Sequence, residues 1–241
     1  MRDEIYNSFV NKGIPPCPDL LKEVEKYEQP VKEGTLWYLI QTDQVQEFTR
    51  HVVLNNIDPE KEDIWIFNEN FWSCIEFGVF CGSLNVVKYL TINNATIDLR
   101  VIRRSVEGGY EQTIEFLSEQ GHSFDDLIYG AILSHHNRIG FWILENYEND
   151  TNRLISESVY SFNTEMFLFF LLEQGRSINE TSYYPGKTPL IHSVESNNIP
   201  LVRFILSQEG VDVTPKDNEG KTALEYSEAA EIKEMISCFI I

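Results

Sequence analysis

The 241-residue sequence is short of positive charge: 19 Lys and Arg stand against 38 Asp and Glu, a net charge of −19. A nucleic-acid backbone or an anionic membrane surface would repel such a chain, so neither is expected as a partner. Cysteines are few as well. Cys17, Cys74, Cys81 and Cys238 form no CxxC pair and no grouping with histidine. Cys74 and Cys81, if helical, lie roughly 10 Å apart along the axis, beyond disulfide reach. Reduced thiols in an intracellular, cytoplasmic protein are the simplest account, with the nucleus left open. Long apolar runs are absent: the longest, Met166 to Leu172, has seven residues, where a membrane span needs about 20. The opening MRDEIYNSFVNKG is acidic and polar, with no apolar signal core. Phosphate-binding glycine loops, HExxH and GxSxG are also missing. Neither catalysis, a cofactor nor a metal is therefore expected.

What the chain does have is a core to bury. Its apolar fraction is 42%, with fifteen Phe, which excludes a disordered chain. Two segments repeat each other: Gly186 to Gly210, and Ser73 to Asn94. Extending their register gives seven copies anchored at Ile40, Gly78, Ser105, Ala131, Ser158, Ser193 and Ser227, all but the first small residues. Three places before the anchors stand Trp37, Ile75, Ile102, Ile128, Ile155, Leu190 and Leu224; twelve places after stand Val52, Leu90, Leu117, Ile143, Phe170, Ile205 and Phe239. Both columns are wholly apolar. Offsets of 8, 9, 11 and 12 after the anchor form the apolar stripe of a helix with 3.6 residues per turn. A shorter helix precedes it, whose small anchor allows close approach by its neighbour. Asn94, Gly121, Gly175 and Gly210 fall where the second helix should end and can supply the left-handed residue of a C-cap. Each unit reads as helix, tight turn, helix, loop, and must stack on its neighbours to bury its stripe.

Gly186-Lys187-Thr188-Pro189-Leu190 and Asp217-Asn218-Glu219-Gly220-Lys221-Thr222-Ala223-Leu224 resemble the ankyrin signature. Gly186 and Gly220 suit the positive φ of a hairpin tip; Thr188 suits an N-cap and Pro189 the first helical position. The resemblance spans about Gly34 to Ile241 and implies an all-α ankyrin-repeat solenoid of about seven helix-turn-helix units. Anchor spacings of 38, 27, 26, 27, 35 and 34 depart from about 33 in a standard unit. The short middle repeats keep both helices but lose the projecting hairpin, as in protist- or virus-type degenerate arrays. Hairpin character is expected only near Thr181–Thr188 and Asp212–Thr222. The histidine usual after Thr-Pro-Leu is replaced by Ile191 and Glu225, with His192 one place off. Tetratricopeptide and HEAT units fit the middle of the chain less well by period. The long first spacing reflects an insertion around residues 56–70. Residues 1–31 read as an N-terminal helical cap, and residues 32–241 as one continuous array.

Such a resemblance implies an adaptor or scaffold that binds a protein partner, with basic character favoured by the acidic surface, and acts as a monomer. A regulatory or non-catalytic enzyme subunit, or an effector acting on host proteins, is the alternative. Ankyrin arrays hold partners in the concave groove, which by register places Phe80, Cys81, Glu107, Leu133, Ser134, Tyr160, Ser161 and Glu195 at the binding surface. Phe80, Leu133 and Tyr160 are apolar there; either they anchor a partner or the tighter packing of hairpin-less repeats covers them. His135-His136 falls in an inter-helix turn, and a metal site would need further ligands. Cys81 reads as exposed, but Gly82 and Ser83 offer no cation to activate it. The Met166–Leu172 run reads as core rather than lipid contact.

Overall fold

The computed structural model describes residues 33–66, 70–182 and 185–239; the expected cap at 1–31 lies outside them. Seven helix pairs follow one another among the described residues: α1 (Leu36–Gln41) and α2 (Val45–Asn55), α3 (Cys74–Cys81) and α4 (Leu84–Ile92), α5 (Leu99–Gly108) and α6 (Glu111–Glu119), α7 (Ile128–Leu133) and α8 (Asn137–Asn146), α9 (Leu154–Tyr160) and α10 (Thr164–Leu168, continued by a π-turn over Phe169–Glu173), α11 (Pro189–Glu195) and α12 (Ile199–Leu206), α13 (Ala223–Tyr226) and α14 (Ala230–Ser237). Every pair carries one of the seven anchors. The chain divides into two compact units, residues 33–78 with 85–96, and residues 79–84 with 97–239.

In the first unit, the anchors Ile40 and Gly78 meet: a Cβ on Gly78 would lie 3.1 Å from Val87 and 3.7 Å from Ile40. Trp37 stacks edge-on against Phe77 at 5.7 Å. Asp43, in a left-handed turn (φ 52°), accepts hydrogen bonds from the Asn85 and Val86 backbones, tying one turn to the next helix. The insertion is not a structureless loop. It forms an antiparallel pair, β1 (Asp63–Ile66) and β2 (Asn70–Ser73), in register Asp63↔Ser73 and Ile66↔Asn70. This corrects the expectation that hairpins would be confined to Thr181–Thr188 and Asp212–Thr222. The physical reason is composition: Ile64-Trp65-Ile66 and Phe71-Trp72 are β-branched and aromatic, and four-residue runs of that kind prefer extended backbone.

In the second unit the first helices α5, α7, α9, α11 and α13 pack on each other in sequence. Small anchors make this possible. Ser105, Ala131, Ser158 and Ser193 are fully buried. Their hydroxyls are satisfied inside their own helices, Ser105 to the Ile102 carbonyl (2.7 Å), Ser158 to Leu154 (2.7 Å) and Ser193 to Leu190 (2.8 Å). A buried hydroxyl therefore adds no unpaired polar group. In the five pairs anchored from Gly78 to Ser193 the chain turns between the helices through a left-handed residue four places after the anchor: Gly82, Gly109, His135, Phe162 and Asn197. The Tyr110 ring lies over Gly82 and the His136 ring over Gly109, where a Cβ would sit 2.3 Å from either ring. The hairpin-less loops are stitched by side chains instead, Glu148 N–H donating to Asp125 and Asp150 N–H to Asp126; the longer loops that follow are tied in the same way, Asp212 N–H donating to Asn179. Further along, the expected hairpin tips are turns, closed by Ser182 N–H to the Lys187 carbonyl (2.8 Å) and Asp217 N–H to Lys221 (3.0 Å). Thr188 caps α11 with Pro189 at its first position, and Thr222 with Glu225 forms a capping box on α13.

One column departs from expectation. Phe239 is 46% exposed, whereas the other members of its column in this unit are buried. No left-handed residue breaks the turn between α13 and α14, and α14 starts at Ala230, three places after its anchor rather than six. The register slips by three, and Ile236 takes the buried position.

Gly108 packs directly on backbone: its missing Cβ would fall 2.3 Å from the Phe80 carbonyl oxygen and 2.7 Å from the Phe80 Cα. Gly108→Ala should therefore destabilise the chain by about 1–3 kcal/mol in urea unfolding. Helix propensity alone would favour Ala by about 1 kcal/mol, so a gain in stability would refute the close contact.

Candidate functional site

The residues two and three places after each anchor lie at the ends of the first helices, and the structure sorts them. Leu133 is 39% exposed and Tyr160 56%, whereas Phe80 is half-buried, its backbone covered by Gly108. Glu107 pairs with Arg104 of its own helix, and its carbonyl accepts from His136 Nε2 at 3.0 Å. Glu195 is exposed and holds Lys187 Nζ at 2.6 Å. Ser161 is occupied by the fold, its hydroxyl donating to Glu157 and its carbonyl bonded to His135 Nε2 at 2.8 Å. Ser134 is half-buried and closes the end of α7. Cys81 is half-buried rather than exposed, because it lies on the last turn of α3, and burial pushes its thiol up to about 12. A thiol at that value is inert at neutral pH. His135 and His136 are each bonded to a carbonyl of a neighbouring repeat and so serve the turn.

Two further aromatics belong to this face that register alone did not single out. Tyr129 is 42% exposed, two places before its anchor; burial, then the nearby Glu157 and Tyr160, raise its phenol above the ordinary value. Phe162 is 47% exposed and has φ 58°. A left-handed conformation is cheap for the Gly82 and Gly109 of the same column and tolerable for Asn197, but for a bulky residue it is a strained outlier. Strain of this kind gathers at functional sites. A Phe in a column of Gly, His and Asn was a signal available in the sequence.

Behind the exposed row lies a polar cluster. Tyr160 packs on His192, ring centres 5.3 Å apart. His192 is buried, its Nε2 has no hydrogen-bond partner among the described residues, and burial holds its imidazole down to about 4, with Lys187 adding to the effect. Lys187, also buried, sits 4.5 Å over the Tyr226 ring, and Lys221 lies 5.1 Å from the same ring. The Tyr226 hydroxyl donates to Asp217. The cluster fastens the tip of one repeat to the next and gives the Tyr160 ring a rigid backing.

Among the described residues no group of three His, Cys, Asp or Glu side chains is placed to hold a metal ion, and no helix is long and apolar enough to cross a membrane.

A family model for ankyrin repeats, in three copies, matches residues 155–238, which span the last three helix pairs. Searching the curated proteins gave no match. Among solved structures, the human ASB11 ankyrin repeat domain is similar over 86% of this chain and 97% of its own, with a TM-score of 0.61 at 14% identity. The ankyrin repeat domain of Bcl-3, a member of the IkappaB protein family, is similar over 86% of this chain and all of its own, with a TM-score of 0.52 at 16% identity.

Proposed function

Because the chain is an ankyrin-repeat protein, with the family's model over its last three repeats and the fold of such domains over most of its length, we propose that it is a non-catalytic protein-interaction module, an adaptor or scaffold, that grips a protein partner on its first-helix face. The observation that carries this reading is Phe162, an aromatic side chain held open to solvent in a left-handed turn where the other repeats use Gly, His or Asn. With Leu133 and Tyr160 it supplies bulky side chains on a rigid frame, the usual composition of a binding anchor. Phe80, Cys81, Glu107, Ser134, Ser161 and Glu195 frame that row. The net charge of −19 favours partners with basic residues beside their apolar ones, and speeds their association at low salt.

The test is affinity capture with the full chain against the chain carrying Leu133→Ala, Tyr160→Ala and Phe162→Gly. Each anchor should contribute about 2 kcal/mol or more to affinity, so the partners held by the wild type should disappear. The folded state should not suffer, because Phe162→Gly relieves a left-handed residue worth about 1–2 kcal/mol. Identical partners captured by both chains, or a lowered melting temperature, would overturn the reading.

A further inference from the structure

The apolar run Met166–Leu172 has a second side that the core does not use. Met166, Phe167 and Phe170 are fully buried. Leu168 and Phe169 are only half-buried, and Leu172 is 64% exposed. A helix that is apolar all round belongs inside a protein, yet here the outer half faces solvent on the side of the second helices. The Phe141 and Phe169 rings meet edge to face at 5.0 Å. Together with Leu168 and Leu172 they line a cleft of about 500 Å³, with Glu165 and Glu173 at its margins. The segment also leaves the α-helical pattern: the Gln174 N–H bonds the Phe169 carbonyl five residues back, at 3.0 Å. Single π-turns of this kind are concentrated at functional sites.

Charge indicates what the cleft accepts. The second helices α6, α8 and α10 with its π-turn carry Glu111, Glu115, Glu119, Glu145, Glu165 and Glu173 against a single cation, Arg138. That cation is already paired with Glu111 at 3.2 Å. Glu165 accepts from the Asn137 side chain through one oxygen, leaving the other to bind a donor. Another copy of this chain, at −19, would be repelled, as would an anionic membrane.

We infer that this cleft docks a basic amphipathic helix of a partner protein, which seats one Leu or Phe between Phe141 and Leu172 and sets Lys or Arg against Glu165 and Glu173. Eight residues of helix separate the two glutamates, roughly 12 Å at 1.5 Å per residue. A partner helix matches that span with cations four residues on either side of its anchor. This surface lies on the second helices and is independent of the first-helix face proposed above.

The test uses a synthetic 16-residue helical peptide with a central Leu and Lys four positions before and after it, titrated by fluorescence anisotropy into the full chain. A second peptide has Ser for the Leu. Saturable binding of the Leu peptide is expected, with the Ser peptide at least tenfold weaker. On the protein side, Leu172→Ala should weaken binding about tenfold, and Glu165→Gln with Glu173→Gln should do the same and flatten the salt dependence. Tyr160→Ala should leave it unchanged, which separates this surface from the first-helix face. Equal binding of the two peptides, or binding indifferent to Leu172→Ala, reports general attraction of a cation to an acidic protein and overturns the proposal. So does an absence of binding.

Discussion

Phe124→Ala lowers the stability of the chain by about 3–5 kcal/mol, the range for removing a fully buried Phe side chain. Phe124 lies in the loop before α7, yet it is completely buried. Its ring meets Trp142 edge to face at 5.3 Å and Tyr147 at 5.4 Å, and those two meet each other at 5.2 Å. This repeat is one of the short ones, without a projecting tip. The space beneath the missing tip is filled from the loop itself, and the loop is fixed by Asp126 N–H to the Glu148 carbonyl, Glu148 N–H to Asp125, and Ser118 to the Tyr147 hydroxyl at 2.7 Å. Phe124→Leu keeps much of the volume and should lose markedly less than Phe124→Ala. Urea unfolding of both variants makes the comparison. A loss below about 1 kcal/mol for Ala would mean that the aromatic group does not hold the loop down.

Phe124 also shows what the sequence does and does not disclose. The repeat register was legible because both helices of each unit are fixed by local periodicity and by a small anchor. Columns such as Ile102, Ile128, Ile155 and Leu190, and Leu117, Ile143, Phe170 and Ile205, are buried as their spacing requires. Phe124 belongs to no column. The short repeats fill the place of a lost tip each in its own way, so no recurring position announces the filler. Phe239 fails for the opposite reason: its column was regular, but the absence of a left-handed residue after Ser227 starts the last helix early and slips the register. The strands in the insertion were readable from Ile64-Trp65-Ile66 and Phe71-Trp72 once alternation is weighed apart from the repeat.

The candidate face was legible in part. Register placed Leu133 and Tyr160 at the open ends of α7 and α9, where they stand exposed. It put Cys81 there too, because register gives a direction but not the depth set by the next repeat. The cluster behind Tyr160 draws Lys187, Asp217, Glu195 and Tyr226 from α11, α13 and the tips that precede them. No motif records that meeting, since it depends on how two tips stack.

Stability should fall as the pH is lowered from about 6.5 to about 4, and His192 should account for much of the fall. In the folded chain its imidazole is held to about 4 by burial and by Lys187, against Glu195, which acts the other way; unfolded it titrates near 6.5. Between the two values the unfolded chain binds a proton that the folded chain refuses, so unfolding is favoured by acid and the contribution is intact only above 6.5. A gap of about 2.5 units at 1.36 kcal/mol each amounts to about 3 kcal/mol. His136, lowered by burial against its bond to Glu107 and pushed the same way by His135, adds a slope of the same sign. Asp217 does not contribute in this window. Burial acts to raise its carboxyl, but hydrogen bonds from Tyr226, Lys221 and Glu219 outweigh it and hold the group below 3.8. Its loss comes only at lower pH. His192→Gln should flatten the dependence of the urea midpoint on pH between 6.5 and 4, leaving the residue due to His136, and a slope equal to that of the wild type would refute the assignment. The charge acquired by His192 would appear beside Lys187 and directly under the Tyr160 ring. Acid should therefore disturb the first-helix face before the rest of the array unfolds, a loss visible as weakened partner capture at a pH where the helical signal is still complete.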